Sequence, residues 1–206
     1  MNITLGQYQE FSLIENPTTT QILSHLGGLT KTQVKRLKDK DADKLLQDIN
    51  DLLNEKHPLT NILEIDGKEF GFIPNLDDIT FGENLDLNNY LGDWGQMHKA
   101  MAVLYRPVTS RLNDRYLIED YESSRKYSEM MKQIPVQVTI GAMLFFYRLM
   151  NDLLNCFQKY LNQLGTQPEV NKVLQKNGET MDNYIKSVKA TSEDLKLLLN
   201  INFLNA

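Results

Sequence analysis

Histidine, cysteine and carboxylate side chains are the groups in this 206-residue chain that could bind a metal or carry out nucleophilic or acid–base chemistry. The three histidines, His25, His57 and His98, are far apart, and none has ligand-like spacing to another or to the single cysteine, Cys156. A zinc site needs a cluster such as Cys-x2-Cys or His-x3-His. We therefore predict no metal site here. We interpret the histidines as surface or helix-end residues and Cys156 as a small buried apolar residue.

Paired carboxylates could act as a general acid and a general base, and six of them lie between Lys68 and Lys99 without an intervening Lys or Arg. They fall in a turn-rich segment that predicts no apolar pocket, and Asp77-Asp78 lacks the alternation of a calcium loop. No phosphate loop, dinucleotide-binding glycine pattern or Gly-x-Ser-x-Gly turn occurs. We therefore predict a non-enzymatic protein with no cofactor. A solvated or partner-facing edge is predicted for the six carboxylates, Glu69, Asp77, Asp78, Glu83, Asp86 and Asp93.

The overall charge argues against nucleic acid as a partner. The net charge is −5 and the pI is near 5.3, whereas nucleic-acid binding depends on Lys and Arg side chains that neutralise phosphates. The one basic cluster, between Lys31 and Lys40, is interleaved with aspartates, which is typical of a solvated helix face. A single cysteine allows no internal disulfide and favours a reducing site of folding. The sequence predicts neither a signal peptide nor a membrane span.

Helices of different lengths are predicted along most of the chain. Short helices fill residues 1–58, an acidic and aromatic segment with a hairpin fills 59–108, and a long-helix bundle fills 109–206, within one compact domain. Asp66-Gly67 between apolar runs predicts the hairpin turn. Asp93 is expected to cap a helix that Pro107 terminates, and residues 110–132 are expected to form a loop that becomes helical near Asp120. Two short helices are expected at 169–175 and 180–199.

The longest predicted helix begins at Pro135 and runs to about Gly165. Its apolar residues recur at three- and four-residue steps and form one stripe, made of Phe146, Leu149, Met150, Leu153, Phe157, Tyr160, Leu161 and Leu164. A helix of about 30 residues would span about 45 Å. The predicted fold class is therefore mainly α, a helical bundle around one long amphipathic helix with a small β-hairpin insertion.

Aromatic and arginine side chains of the middle segment are the best candidates for contacts with a partner, because Trp, Tyr and Arg dominate interface hot spots. On a helical period one side contains Trp94, His98, Met101 and Tyr105, and Arg106 follows at the helix end. The hairpin could add to the sheet of a neighbour. The predicted partner-binding residues are Trp94, His98, Tyr105, Arg106, Phe70 and Phe72. The alternative is that the side with Trp94 is ordinary core.

Three runs of this sequence resemble poorly characterised virion-associated proteins of tailed bacteriophages. The runs are FGFIPNLDDITFGENLDLNNYL from Phe70, WGQMHKAMAVLYRPV from Trp94 and IPVQVTIGAMLFFYRLMNDLLNCFQKYL from Ile134. Separately, ILSHLGGLTKTQVKRLKDKDADKLLQDI from Ile22 is similar to the helical pattern of phage tail assembly chaperones. The resemblance implies a non-enzymatic protein of the tail or head–tail neck, assembled in the cytoplasm of the bacterial host. It implies other phage structural proteins as partners, and a homo-oligomer or ring.

Two alternatives remain open at this point. The chain could be a transient tail assembly chaperone that is not retained in the virion. It could also be an acidic adaptor whose 69–93 region binds a basic partner, in which case binding would weaken steeply with salt.

Overall fold

The structure is a computed structural model that describes residues 1–164. The helices in this range are α1 (Leu5–Ser12), α2 (Thr19–His25), α3 (Lys31–Arg36), α4 (Asp39–Asn54), α5 (Phe81–Tyr90), α6 (Met97–Leu104), α7 (Ser128–Met131) and α8 (Val136–Leu164). The strands are β1 (Ile62–Ile65), β2 (Lys68–Phe72), β3 (Tyr105–Leu112) and β4 (Arg115–Ile118). The helices predicted at 169–175 and 180–199 lie outside the described residues. None of the described helices is long and apolar enough to cross a lipid bilayer.

The described residues belong to two compact units. The first contains residues 1–142, and the second begins at Met143, within α8. The first unit therefore includes all four strands and the helices from α1 to α7. Strand β3 crosses position 108, where a segment boundary was predicted, and it pairs with strands on both sides of that position.

The first three helices each begin at a threonine that is followed three residues later by a glutamine. The hydroxyls of Thr4, Thr18 and Thr30 accept the backbone N–H of the glutamine at 3.2, 3.4 and 3.2 Å. Each glutamine side-chain oxygen accepts the backbone N–H of its threonine in return. This capping box satisfies helix-end donors that would otherwise lack a partner. The predicted short helices α2, α3 and α4 are confirmed, as is the long helix α8.

The four strands form one antiparallel sheet in the order β1-β2-β3-β4. The predicted hairpin between β1 and β2 is confirmed, and both turn residues, Asp66 and Gly67, have positive φ angles of 51° and 74°. A two-residue turn with this geometry matches the right-handed twist of the flanking strands. It fixes the register, which pairs Ile65 with Lys68 and Leu63 with Phe70.

The predicted fold class is wrong, because the chain is a mixed α/β protein with a four-stranded antiparallel sheet rather than a helical bundle with a small hairpin. The error lies between Tyr105 and Ile118, where a helix end and a loop were predicted. Helix α6 ends at Leu104, as expected before Pro107, but the chain then continues directly as β3. Proline is unusual in a central strand because it has no N–H. Here the Pro107 carbonyl accepts the backbone N–H of Glu119 at 2.9 Å.

The two faces of the sheet have different environments. Residues paired across strands share a face, so Phe70 and Pro107 lie on one face together with the paired Phe72 and Tyr105. These four side chains are buried in the core, and the rings of Phe72 and Tyr105 meet edge to face with centroids 5.4 Å apart. The opposite face contains Gly71, which pairs with Arg106.

Gly71 gives the second face room for a tyrosine from β4. A Cβ at this position would lie 2.5 Å from Cε2 of Tyr116, whose hydroxyl donates to the Phe72 carbonyl at 2.8 Å. Because the ring would have to break this hydrogen bond to move, we expect Gly71→Ala to lower the free energy of unfolding by about 1–2 kcal/mol. Urea unfolding measures the change. In a Tyr116→Ala background the same substitution should cost less, and an unchanged cost would contradict the proposed clash.

Helix α6 is the centre of the first unit. Every residue of this helix except Lys99 is buried. It contacts α1, α5 and α7, and Leu104 leads directly into β3. The start of α8 is also buried, at Val136 and Ile140. This arrangement holds the sheet against the helices on its Phe70 face.

Candidate functional site

The six residues predicted to contact a partner are mostly buried within the chain. Phe70, Phe72, Tyr105, His98 and Arg106 are buried, and Trp94 is half-buried. The structure divides them into three places. The aromatic residues of β2 and β3 lie in the core, the helical pair packs against α1, and Arg106 lies on the second face of the sheet. A partner could not reach the five buried side chains without opening the fold, so their role in binding stays a prediction.

Trp94 and His98 form one end of a polar contact with helix α1. The Trp94 ring meets Tyr8 edge to face with centroids 4.4 Å apart. The amide nitrogen of Gln9 donates to the Trp94 carbonyl at 2.6 Å and lies 2.9 Å from His98 Nδ1. Because this nitrogen is a donor, His98 Nδ1 must accept, which fixes the neutral imidazole with its proton on Nε2. No sequence pattern predicts this contact, because Gln9 is 85 and 89 positions from its two partners.

Burial of His98 makes the stability of the first unit depend on pH. Desolvation is the main cause that lowers the pKa of His98 below its usual 6.5, and Lys132 and Lys99 lower it further against the opposing effect of Glu129. The unfolded chain therefore takes up this proton first as pH falls. We expect the His98 contribution to stability to be complete above pH 6.5 and to be lost as pH falls from there toward the folded pKa. Urea unfolding between pH 5 and 8 measures the loss.

His98→Gln provides the control for this pH dependence. The variant keeps His25 and His57, so the difference in slope between the two proteins belongs to His98 alone. An NMR titration of the His98 imidazole in the folded protein with a midpoint at or above 6.5 would contradict the account.

Arg106 and Glu83 form a buried ion pair between the sheet and helix α5. Arg106 Nη1 lies 2.6 Å from Glu83 Oε1, and the two side chains are 9% and 3% exposed. The second oxygen of Glu83 accepts the backbone N–H of Thr80 at 2.7 Å and so caps α5. The guanidinium also lies under the ring of Tyr121, 5.5 Å from its centroid. One carboxylate thus joins β3 to the start of α5, which is a structural role.

A cavity of about 320 Å³ lies beside this ion pair. Its lining includes the carboxylates Asp78, Glu119 and Asp120 in addition to Glu83, together with Arg106. Histidine, cysteine and serine are absent from the described lining. No group of three or more potential metal ligands from His, Cys, Asp and Glu is found within residues 1–164. The Thr80 hydroxyl, which also lines the cavity, accepts the backbone N–H of Glu83 at 3.3 Å and so caps α5.

Several of the six carboxylates singled out in the sequence have partners within the chain. Glu83 pairs with Arg106 and Glu69 with Arg111. The remaining partners are side-chain or backbone donors, with Asn75 bonded to Asp78, Tyr121 to Asp86 and Gly95 to Asp93. Burial, followed by the bond to Asp86, raises the pKa of the Tyr121 phenol. The two cations in these ion pairs, Arg106 and Arg111, come from β3 and lie beyond the run in sequence. The predicted acidic edge is therefore largely engaged in contacts within the chain.

The β3–β4 hairpin presents apolar side chains that the sequence analysis missed. The first three residues of β3 are buried and the last four are exposed, so the strand runs from the core into solvent. Leu112 and Leu117 are 74% and 64% exposed. Leu112 pairs with Arg115 and Leu117 with Ser110, which places both leucines on one face. The missed signal was Asn113-Asp114 between alternating residues, a weaker turn signature than Asn-Gly.

The second unit and the N-terminal helices add two further outcomes. Cys156 is exposed, so its prediction as a buried residue is wrong. The basic cluster around α3 is exposed, at Lys31, Lys35, Arg36, Lys38 and Lys40.

No protein-family model, curated protein or solved structure matches this chain.

Proposed function

We propose that this chain is a non-enzymatic structural or assembly protein of a tailed-phage virion, in the tail or the head–tail neck, and that it acts through contacts with other proteins. The phage context comes from the sequence resemblance of the runs that begin at Phe70, Trp94 and Ile134. The contact surface comes from the fold, in which Glu83 and Glu69 of the acidic run are held in ion pairs with Arg106 and Arg111.

The observation that carries the proposal is the exposed apolar face of the β3–β4 hairpin. Two leucines on one face of a projecting hairpin, Leu112 and Leu117, form a small patch with Arg115 beside them. Exposed apolar side chains on one face mark a surface that a partner covers when they belong to a contiguous apolar patch. The base of the hairpin is held in the buried sheet, so the patch is presented on a fixed support.

Mass spectrometry of purified virions of the phage that encodes the chain tests this proposal. A structural protein is retained in a fixed copy number relative to the major tail protein. A transient assembly chaperone is found in infected-cell lysates and is absent from virions. Absence from both virions and assembly intermediates isolated from lysates would overturn the proposal.

An acidic adaptor is the second candidate, favoured by the carboxylates around the 320 Å³ cavity. Two of those carboxylates already have cationic partners, since Glu83 pairs with Arg106 and Glu119 with Lys126. The excess negative charge of the cavity lining therefore belongs to Asp78 and Asp120. If this candidate is right, Asp78→Asn/Asp120→Asn should weaken binding to a basic partner, and raising the salt concentration should weaken the wild-type complex steeply. Binding that does not respond to salt would exclude it.

A further inference from the structure

The part of α8 within the second unit has an exposed stripe with the spacing of a coiled coil. Leu149, Leu153, Cys156 and Tyr160 are exposed, and Leu153 is 61% exposed. Their steps of four, three and four residues fit alternate d and a positions of a heptad, with Leu149 and Cys156 at d and Leu153 and Tyr160 at a. The same spacing occurs on the apolar face of any amphipathic helix, so it is the charges beside the stripe that indicate the occupant.

Two charged residues beside the stripe indicate which helix would fit. Asp152 and Lys159 are both exposed and occupy successive g positions. They are seven residues apart, so they cannot form the three- or four-residue pair that neighbours on one helix make. No ion pair involving either residue occurs among the described residues.

An antiparallel second copy of α8 would pair the apolar stripe with itself and bring the opposite charges together in one register. In antiparallel coiled coils a positions face d positions and g positions face each other across the seam. If Leu153 faces Cys156 of the second copy, then Leu149 faces Tyr160 of the second copy. The same register brings Asp152 opposite Lys159 of the second copy, and the two-fold symmetry repeats every pair. A parallel arrangement would not bring these two charges together.

We propose that two copies of this protein associate through an antiparallel coiled coil of α8, with a seam of Leu149, Leu153, Cys156 and Tyr160 and with two symmetric Asp152–Lys159 ion pairs. This inference does not depend on the proposed function. The seam spans less than two heptads, so the buried area falls below the roughly 1,200 Å² of standard interfaces and the dimer is expected to be weak and reversible.

Sedimentation velocity of the full chain over a concentration series at low salt tests the dimer and its direction. Asp152→Lys places lysines opposite lysines and should raise the dimer dissociation constant roughly tenfold, and Lys159→Asp should do the same. The double charge reversal, Asp152→Lys with Lys159→Asp, restores opposite charges only in the antiparallel register and should restore dimerisation. A double variant that stays as weak as the single variants would overturn the antiparallel arrangement.

Leu153→Asp tests the seam itself and should leave only monomer at concentrations where the wild type dimerises. Leu13→Asp is the matched control, because Leu13 is 77% exposed and lies at the end of α1. That variant should dimerise like the wild type. Circular dichroism of each variant checks that helix content is retained. Wild-type protein that is monomeric at every concentration, or Leu153→Asp protein that still dimerises, would overturn the proposal.

Discussion

Arg106→Ala is expected to lower the free energy of unfolding of the first unit by about 3–5 kcal/mol, the largest single effect that we predict. The substitution leaves the Glu83 side chain, which is 3% exposed, without the one cationic partner that it has among residues 1–164. A buried carboxylate without a counter-charge must keep an uncompensated charge or take up a proton. Protonation would also weaken Glu83 as the acceptor of the Thr80 N–H at the start of α5. Urea unfolding of wild type and variant at pH 7 gives the difference.

Arg111→Ala is the matched control for this prediction. Arg111 lies on the same strand and pairs with Glu69 at 2.9 Å, but these side chains are 47% and 46% exposed. Solvent screens such a pair, so we expect a loss of less than about 1 kcal/mol. Equal losses for Arg106→Ala and Arg111→Ala would contradict the role that we assign to burial. Arg106→Met combined with Glu83→Gln should be less destabilising than Arg106→Ala, because it leaves no unpaired charge.

Gly141→Ala is expected to cost about 3 kcal/mol, the second largest effect. A Cβ at Gly141 would lie 2.5 Å from the carbonyl oxygen of Pro58 and 3.4 Å from that of His57. Both obstacles are backbone atoms, which cannot rotate away as a side chain can. The helix gains about 1 kcal/mol from replacing glycine by alanine, and the steric cost must exceed this gain for the variant to be destabilised.

Gly82→Ala separates these two contributions experimentally. Gly82 also lies within a helix, α5, but the nearest atom to an added Cβ belongs to Tyr121 at 3.7 Å, an ordinary van der Waals distance. We expect Gly82→Ala to be neutral or slightly stabilising in the same thermal or urea unfolding experiment. If Gly141→Ala is equally neutral, the approach of the 57–58 backbone to α8 is not as close as the structure has it.

Local sequence signals predicted those elements that depend on a few neighbouring residues. The Asp66-Gly67 turn, the threonine cap of α3 and the proline before α8 each act within about four positions, and the elements they predict are present. Strands β3 and β4 were missed because their pairing is nonlocal and because charged residues such as Arg111 and Arg115 were interpreted as loop. On an exposed hairpin those side chains can point to solvent without disturbing the backbone ladder.

The candidate site was harder to predict than the fold. Trp, Tyr and Arg have the same chemistry in a core as at an interface, so residue type alone could not distinguish the two for Trp94, Tyr105 and Arg106. The Lys-free acidic run looked unpaired because Arg106 and Arg111 lie beyond it in sequence, 23 and 42 residues from their partners. The exposure of the apolar residues on the β3–β4 hairpin and on α8 is known only from their burial in the folded chain.

The most direct test of the account is the incorporation of a hairpin variant into virions. Leu112→Ser/Leu117→Ser removes the apolar patch at exposed positions, so the purified protein should unfold at the same urea concentration as wild type. In a phage that lacks the native copy, quantitative mass spectrometry should find the wild-type chain in virions and the variant strongly depleted from them. Incorporation of the correctly folded variant at the wild-type level would contradict the claim that this surface joins the protein to its neighbours.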